Sequence, residues 1–152
     1  MTTPSIRCLR GDELTAQDVY DIWRIRDAVF AVEQQVQDED PDGRDLLATA
    51  SHLWLEDADG PTSYLRVYVD HTGARRIGRV CTRRDQRGKG LSGQLMAEVH
   101  RRWGDGTLLL SAQAHLEAWY ESFGYVRCGE NFDDAGIDHV PMIREPDVED
   151  TA

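Results

Sequence analysis

A glycine-rich turn near the middle of the chain constrains the fold more than any other segment. The β-branched run from Ile77 to Thr82 leads into a charged loop, the loop tightens through Gly88 and Gly90, and an amphipathic helix begins at Leu91. A strand that enters a helix through such a turn leaves several backbone N–H groups unpaired at the positive end of the helix dipole. This arrangement is typical of a site for a phosphate or pyrophosphate group.

The same turn contains a dinucleotide-binding pattern in the wrong context. Residues 88–93 satisfy G-x-G-x-x-G, but in a Rossmann unit the apolar strand turns directly into the first glycine, whereas here residues 83–87 intervene. The acidic ribose ligand expected about 20 residues further on is also missing. A P-loop is excluded because Lys89 is not followed by Ser or Thr. The turn therefore predicts a phosphate-bearing ligand of another kind.

Length and composition predict one globular domain spanning residues 1–152, with residues 145–152 as a frayed tail. No apolar stretch approaches the roughly 20 residues that cross a bilayer, and the N-terminal residues lack the apolar centre of a signal peptide. We therefore expect a cytoplasmic protein with no membrane partner. The three cysteines, Cys8, Cys81 and Cys128, are widely spaced, which predicts neither a disulfide framework nor a metal site.

The charge is negative overall but unevenly distributed. A formal net charge of −11 argues against a nucleic-acid partner, because the phosphate backbone would be repelled. Seven of the 17 basic residues nevertheless lie between Arg75 and Lys89, on and beside the glycine turn. Basic side chains do not favour a helix N-terminus, so their placement suggests a polyanionic ligand.

Two loops concentrate the acidic residues. One carries Asp38, Glu39, Asp40, Asp42 and Asp45, and the other carries Asp133, Asp134 and Asp138. Ordinary solvation explains such loops as well as function does. If both surround a binding site, they would attract a cationic amine.

Hydrophobic periodicity predicts a mixed α/β sheet of six or seven strands flanked by about four helices. Thr15 is the expected N-cap of the first helix, and Gly104 and Gly124 are the expected stops of later ones. The predicted helices are Thr15–Glu33, Leu91–Trp103 and His115–Phe123, and the predicted strands are Ser5–Leu9, His52–Glu56, Thr62–Asp70, Ala74–Thr82, Thr107–Ser111, Tyr125–Asn131 and His139–Arg144.

Residues Arg87 to Ser92 resemble the R/Q-x-x-G-x-G/A pyrophosphate loop of the GNAT superfamily of N-acetyltransferases, which bind acetyl-coenzyme A (acetyl-CoA). Ser92 stands where that loop usually has Gly or Ala. Five further segments resemble the ElaA-like branch, in matching order along nearly the whole chain. They are RDAVFAVEQ (26–34), DPDGRDL (40–46), RIGRV (76–80), SAQAHLEAWYESFGYV (111–126) and GIDHVPM (136–142).

The resemblance implies a GNAT-type fold and acetyl-CoA as co-substrate, and it assigns the donor site. The strand residues Val80, Cys81 and Thr82 would offer main-chain groups to the pantetheine arm and the acetyl carbonyl. Arg83 and Arg84 are candidates for the coenzyme's other phosphate. The residues that would hold the pyrophosphate are Arg87, Gly88, Lys89, Gly90 and Ser92.

The resemblance also implies the catalytic groups. Tyr120 matches the family tyrosine, four residues before the Gly-aromatic pair at 124–125, and its phenol would protonate the departing thiolate. For a general base the candidates are Glu33, His139 and His115, and backbone positioning alone is the remaining alternative. We do not expect Cys81 to be a nucleophile, because no base partner is visible beside it.

The resulting hypothesis is an acetyl-CoA-dependent N-acetyltransferase that acts by direct transfer on a small-molecule or peptide amine. One alternative is an acyl-homoserine-lactone-synthase-like acyltransferase, suggested by the R-x-x-x-F spacing of Arg26 and Phe30 before an acidic loop. Another is a non-catalytic acyl-CoA sensor. Exposed strand edges in a small sheet also make a homodimer a reasonable expectation.

Overall fold

One mixed sheet of eight strands organises the protein. The computed structural model describes residues 5–147. The spatial order is β1–β2–β3–β4–β5–β8–β6, with β7 paired to β8, and β4–β5 is the parallel pair in an otherwise antiparallel sheet. The strands are β1 (Arg7–Arg10), β2 (Ala50–Asp57), β3 (Gly60–Val69), β4 (Arg75–Thr82), β5 (Leu108–Gln113), β6 (Val126–Arg127), β7 (Phe132–Asp134) and β8 (Ile137–Arg144).

Three α-helices accompany the sheet in the described residues: α1 (Ala16–Arg26), α2 (Leu91–Trp103) and α3 (Glu117–Glu121). The predicted cap of α1 is confirmed, because the Asp18 N–H donates to the Thr15 hydroxyl at 3.1 Å and the Thr15 N–H donates to the Asp18 carboxylate at 3.0 Å. Beyond α1 the chain widens into a seven-residue π-helical segment, Asp27–Glu33, a conformation that often marks functional sites.

The two faces of the sheet carry separate cores. On one face, Leu95, Met96 and Val99 of α2 pack on apolar side chains from β2 to β8. On the other face, Ile22 and Ile25 of α1 cover only part of the sheet, against buried side chains of β2, β3 and β4. The α1 face over β5 and β8 therefore remains available for a cleft.

Pairing between β4 and β5 covers only the first half of each strand. Residues 75–77 pair with residues 108–110. Beyond that point β4 pairs with β3, and β5 pairs with β8. A bulge lies in β4 at the same level, where Arg79 has a φ of 55° and the register with β3 shifts. A wedge-shaped gap therefore opens between β4 and β5 beyond their paired residues.

The sheet agrees with the sequence prediction in class but exceeds it in strand number. The predicted strand Tyr125–Asn131 is wrong beyond Val126–Arg127, and the short strand β7 was not predicted. A two-residue hairpin turn joins β7 to β8, with φ of 53° at Ala135 and 81° at Gly136. Alanine rarely adopts positive φ, so the sequence gives no sign of this turn. The predicted frayed tail extends past residue 147 and so lies partly outside the described residues.

A half-buried histidine should make the fold sensitive to acid. The His100 Nε2 atom lies 2.9 Å from the Tyr125 hydroxyl, and burial lowers the pKa of His100 to about 4. Between the ordinary histidine pKa of about 6.5 and pH 4, the unfolded chain binds a proton that the folded chain does not. The free energy of unfolding should therefore fall as the pH is lowered through this window. A His100→Gln variant should lose less thermal stability between pH 7 and pH 4.5, as measured by circular dichroism.

His71, which is exposed in the β3–β4 turn, provides the matched control. A His71→Gln variant should show the same pH dependence as the unmodified protein. If His100→Gln showed it as well, the acid sensitivity would not come from His100.

Candidate active site

A cleft of about 940 Å³ runs through the gap between β4 and β5. One end is lined by the glycine turn and by α3, and the other by the loop that follows the π-helical segment, the floor of the sheet and β8. Most of the residues proposed from the sequence line this one cleft. They are Glu33, Val80, Cys81, Thr82, Arg87, Gly88, Gly90, Ser92, His115, Tyr120 and His139.

The glycine turn presents free main-chain donors to the cleft. Gly88 and Gly90 have φ of 79° and 74°, the left-handed region that glycine adopts without strain. The first helical hydrogen bond of α2 runs from the Gln94 N–H to the Gly90 carbonyl at 3.1 Å, so the N–H groups of residues 90–93 precede the helical ladder. Within the described chain no side chain caps this helix. The turn can therefore receive an anion.

Ser92 is compatible with this role. Its hydroxyl lies 2.6 Å from the Thr82 hydroxyl and 3.2 Å from the Ser63 hydroxyl, which ties the start of α2 to β3 and β4. Because the side chain turns towards the strands, it leaves the Ser92 N–H unobstructed. The departure from the usual Gly or Ala therefore serves to anchor the helix.

Arg87 reaches across the cleft to the end of the π-helical segment. Its guanidinium donates two hydrogen bonds of 2.6 Å to the Glu33 carboxylate and a third, of 3.1 Å, to the Thr82 carbonyl. The hydrogen bond from Arg87 lowers the pKa of Glu33. Glu33 is thus an ionised partner of Arg87, which favours a positioning role over that of a proton acceptor.

The other basic side chains near the turn are not all directed to the cleft. Arg83 donates to Asp57 and Asp85, with its shortest bond to each at 2.6 and 2.7 Å. The Lys89 ammonium donates to the Gln86 amide oxygen at 2.9 Å and, like the exposed Arg84, does not line the cleft. Any contribution of Lys89 in this conformation would come from its main chain.

The basic run separates in space because side chains alternate along β4. Arg75 stacks on Trp103 at 5.5 Å on the α2 face, whereas Arg76 lines the cleft on the opposite face, where the β4 bulge also puts Arg79. The run is therefore not one polyanion site, contrary to the simplest interpretation of the sequence.

Cys81 is buried in the α1 core, with its main chain in the bulged strand. Burial raises the pKa of its thiol to about 12. Its carbonyl accepts a hydrogen bond of 3.2 Å from the Ser63 hydroxyl. A protonated thiol in an apolar environment is a packing group and not a nucleophile.

Tyr120 lies on α3 with its ring held between Trp119 and Tyr125, at centroid distances of 4.8 and 6.1 Å. The residue is 5% exposed, and that small exposed surface faces the cleft. Its hydroxyl makes no hydrogen bond within residues 5–147, and the hydroxyl oxygen is not fully enclosed by the protein. Burial raises the pKa of Tyr120, so the phenol keeps its proton.

His139 has a defined tautomer. Its Nδ1 lies 2.7 Å from the Ile137 carbonyl, which can only accept, so in the neutral ring Nδ1 carries the proton and Nε2 has the lone pair. Phe132 stacks on the ring at 5.7 Å and restricts its orientation. A half-buried histidine with a free Nε2 beside the cleft has the arrangement that a general base needs. His115 also lines the cleft, on the turn before α3.

Sequence reasoning missed a buried ion-pair network under the first acidic loop. Arg66, which is 2% exposed, donates to both oxygens of Asp42 at 2.9 and 2.7 Å and to Asp45 at 2.8 Å. Arg26 pairs with Asp45 at 2.7 Å. An arginine inside the apolar run TSYLRVYV was a detectable sign, because a buried guanidinium requires acidic partners.

The same network holds the β4 bulge. Arg79 donates to the Asp40 carboxylate at 3.1 Å and to the Asp40 carbonyl at 3.0 Å, while the Nε of Arg26 lies 2.9 Å from the other carboxylate oxygen. A non-glycine residue at positive φ persists only when its surroundings hold it there. Three of the loop's acidic residues therefore neutralise three arginines, and they do not remain free to attract an acceptor.

Residues 5–147 contain neither a metal-ligand cluster nor a membrane-spanning helix. No group of His, Cys, Asp and Glu side chains in this part of the chain has the proximity that would hold a metal ion. None of its helices has the length and apolar character required to span a membrane.

The site geometry agrees with comparisons to known proteins. Residues 13–146 match the acetyltransferase (GNAT) domain family. A UPF0039 protein of Mycobacterium tuberculosis is 43% identical over 146 residues, which cover 93% of this chain and 94% of that protein.

Two crystal structures are similar over almost the full length. An acyl-CoA N-acyltransferase of Pseudomonas aeruginosa has a TM-score of 0.87 and 35% identity, covering 93% of this chain and 99% of the other. Escherichia coli ElaA has a TM-score of 0.86 and 32% identity, covering 94% of this chain and all of the other.

A CoA-dependent acyl-homoserine lactone synthase, BjaI, shares the fold at a TM-score of 0.75, with 15% identity over 94% of this chain and 83% of its own. This likeness concerns the fold alone. The matched domain, the strand gap and the glycine turn lead to one conclusion: the chain belongs to the GNAT acetyltransferase family, in the branch that includes ElaA and the UPF0039 proteins.

Proposed function

We propose that the protein is an acetyl-CoA-dependent N-acetyltransferase that moves the acetyl group directly to an amine. The observation that carries the proposal is the position of one cleft. The β4–β5 gap joins the free N–H groups of the glycine turn to Tyr120 on the donor side and to His139 on the acceptor side. Acetyl transfer needs an anion site and a general acid on the side of the thioester, and a general base on the side of the amine.

The donor would lie with its pyrophosphate at the N-terminus of α2. The N–H groups of Gly90 and Ser92 would bind the phosphate oxygens, with charge supplied by Arg87. Arg87 is already hydrogen-bonded to Glu33, at the end of the π-helical segment. Its guanidinium would therefore be fixed in place before the coenzyme binds. The main chain of Val80 to Thr82 would then meet the pantetheine arm along the gap.

The chemical step uses two protein groups. The neutral amine attacks the thioester carbon, and the carbon–sulfur bond breaks as the carbon–nitrogen bond forms. The proton lost by the amine passes to the His139 Nε2, and the Tyr120 hydroxyl donates its proton to the departing sulfur. The burial of Cys81 supports direct transfer, since the thiol beside the gap is enclosed and keeps its proton.

The acceptor is proposed to be cationic before it loses its proton, but fewer acidic residues support this than the sequence suggested. Asp40, Asp42 and Asp45 are already paired with the buried side chains of Arg26 and Arg66. Asp38, Glu39 and Asp134 line the cleft and have no ion pair among residues 5–147. These three carboxylates would attract an ammonium group to the cleft entrance.

His139 should impose a pH dependence on turnover. A His139→Gln variant should lower kcat/KM by about 100-fold or more near neutral pH, the range of a single general base. The pH–rate profile of the variant should differ from that of the unmodified enzyme, because the group that accepts the amine proton is removed. Initial rates of thiol release from pH 5.5 to 9 measure both effects.

His115→Gln is the matched control, because that residue is the other cleft histidine. If His115→Gln lowered kcat/KM and changed the pH–rate profile while His139→Gln did neither, the base would be His115. If neither variant changed the profile, backbone positioning without a dedicated base would account for catalysis.

The experiment that tests the function is a turnover screen. Purified protein is mixed with acetyl-CoA and a panel of polyamines, aminosugars, amino acids and peptides, and free thiol release is recorded. Acetylation of at least one amine class supports the proposal. Coenzyme binding without turnover on any amine would support a sensor instead. Turnover with S-adenosylmethionine and an acyl carrier, but not with amines, would favour the lactone-synthase alternative.

A further inference from the structure

The acceptor end of the cleft extends beyond the strand gap to a second polar region. It continues along the α1 face of the sheet over Gly78 to Tyr68, Arg76 and Arg44. A side chain built at Gly78 would meet no atom within 4 Å, so the floor between the gap and this region is open. An acceptor longer than a simple amine therefore has space to extend along the floor.

The arginines at this end differ from those of the buried network. The guanidiniums of Arg26, Arg66 and Arg79 are matched by the carboxylates of Asp40, Asp42 and Asp45, which makes the network neutral by itself. None of those three cations is available to a ligand.

Arg76 and Arg44 are only loosely engaged within the described chain. The Arg76 Nε lies 3.5 Å from the Oδ2 of Asp70, whose Oδ1 accepts the bonds from Thr72, and this long contact is the one ion pair of Arg76 among residues 5–147; the Arg76 side chain is 38% exposed. Arg44 is 46% exposed and lies 3.4 Å from an Asp42 oxygen that is bound more closely by Arg66, at 2.7 Å. Both guanidiniums retain N–H groups for another acceptor.

Tyr68 brings the two arginines to one place. The Arg44 guanidinium lies 4.6 Å above the Tyr68 ring. Arg76 is the direct cross-strand partner of Tyr68, which puts their side chains on the same face at a Cβ separation of about 5 Å. Two guanidiniums beside one phenol form a recognition site suited to a carboxylate.

We propose that the acceptor amine carries a carboxylate, which binds at Arg76 and Arg44 while the amine lies at the β4–β5 gap. This proposal rests on the proposed function and names its substrate class. At about 3.3 Å per residue, the gap beyond Gly78 lies roughly 7–10 Å from the Arg76 position. A diamino acid such as lysine or ornithine has its side-chain amine at that separation from its carboxylate. The ammonium of the acceptor therefore faces the carboxylates at the cleft entrance, and its carboxylate faces Arg76 and Arg44.

Matched acceptors test the proposal. Thiol release is measured with lysine and 1,5-diaminopentane, and with ornithine and 1,4-diaminobutane, pairs that differ only by the carboxylate. The unmodified protein should favour each amino acid by about 10-fold or more in kcat/KM, the size expected for one charge-assisted contact. Mass spectrometry should locate the acetyl group on the side-chain nitrogen.

Variants of Arg76 and Arg44 test whether these two arginines cause the preference. Arg76→Gln should abolish the preference by raising KM for the amino acids, and Arg44→Gln should reduce it. Arg75→Gln is the control, because that neighbouring side chain stacks on Trp103 on the opposite face. It should retain the full preference.

The outcomes separate the two claims. If the diamines react as well as the amino acids, or if Arg76→Gln and Arg44→Gln both keep the preference, the carboxylate site is wrong and the acetyltransferase proposal stands. Acetylation of the α-nitrogen also contradicts the site. If acetyl-CoA neither binds nor reacts, the proposed function itself fails. Calorimetric titration of Nε-acetyllysine against N-acetyl-1,5-diaminopentane measures the carboxylate preference without turnover, and equal or absent binding of the two would overturn the proposal.

Discussion

Replacement of Tyr120 by phenylalanine is expected to lower kcat by about 100- to 1,000-fold, the contribution of a well-placed general acid. The ring is fixed by Trp119 and Tyr125, so the variant keeps the packing and loses only the hydroxyl. That hydroxyl opens to the cleft, and burial keeps it protonated at neutral pH. The thiolate would then leave without a proton donor. Acetyl-CoA affinity should be unchanged, because the coenzyme's phosphates bind elsewhere.

Tyr125→Phe is the matched control for this prediction. The Tyr125 hydroxyl bonds to His100 and does not line the cleft, so its loss should lower thermal stability without a comparable loss of kcat. Steady-state kinetics and calorimetry on both variants make the comparison. Full activity in Tyr120→Phe would remove Tyr120 from the mechanism and leave packing as its role.

A negative charge at the glycine turn should abolish most of the coenzyme affinity. Gly90→Asp introduces a carboxylate beside the proposed pyrophosphate, and Coulomb repulsion at about 5 Å corresponds to a loss on the order of 100-fold. Gly90→Asn has the same shape without the charge and should stay within a few-fold of the unmodified protein. Asp and Asn both tolerate the φ of 74° at this position, and a side chain there meets no atom within 4 Å.

Thermal melting provides the control for the Gly90 pair. An acidic residue at a helix N-terminus favours the helix dipole, so Gly90→Asp should fold at least as stably as Gly90→Asn. A stable but non-binding aspartate variant would place the anion at the start of α2. Equal acetyl-CoA affinity in the two variants would contradict that placement.

The glycine turn could be predicted from the sequence because its signals are local. A helix N-terminus, its glycines and the strand before it lie within residues 77–93, and short-range geometry determines what such a turn presents. The cap at Thr15 and the stop at Gly104 were confirmed for the same reason. The tyrosine at 120 and the histidine at 139 came from the family resemblance, and they lie on one cleft in the structure.

The acceptor side was harder to predict because its contacts join distant segments. Asp40 meets Arg79 from 39 positions away, and Asp42 meets Arg66 from 24. In the sequence these residues form an acidic loop and a basic strand, each of which suggests a ligand. In the structure they neutralise one another and hold the β4 bulge. The charges left over, Arg44 and Arg76 on the floor and three carboxylates at the entrance, define the acceptor site we propose.

Coenzyme binding tests the central claim most directly. Isothermal titration of the unmodified protein with acetyl-CoA, run alongside the Gly90→Asp and Gly90→Asn variants, should give one site per chain that the aspartate variant loses and the asparagine variant keeps. Absence of binding to the unmodified protein at millimolar acetyl-CoA would contradict the claim that this glycine turn holds a coenzyme A thioester.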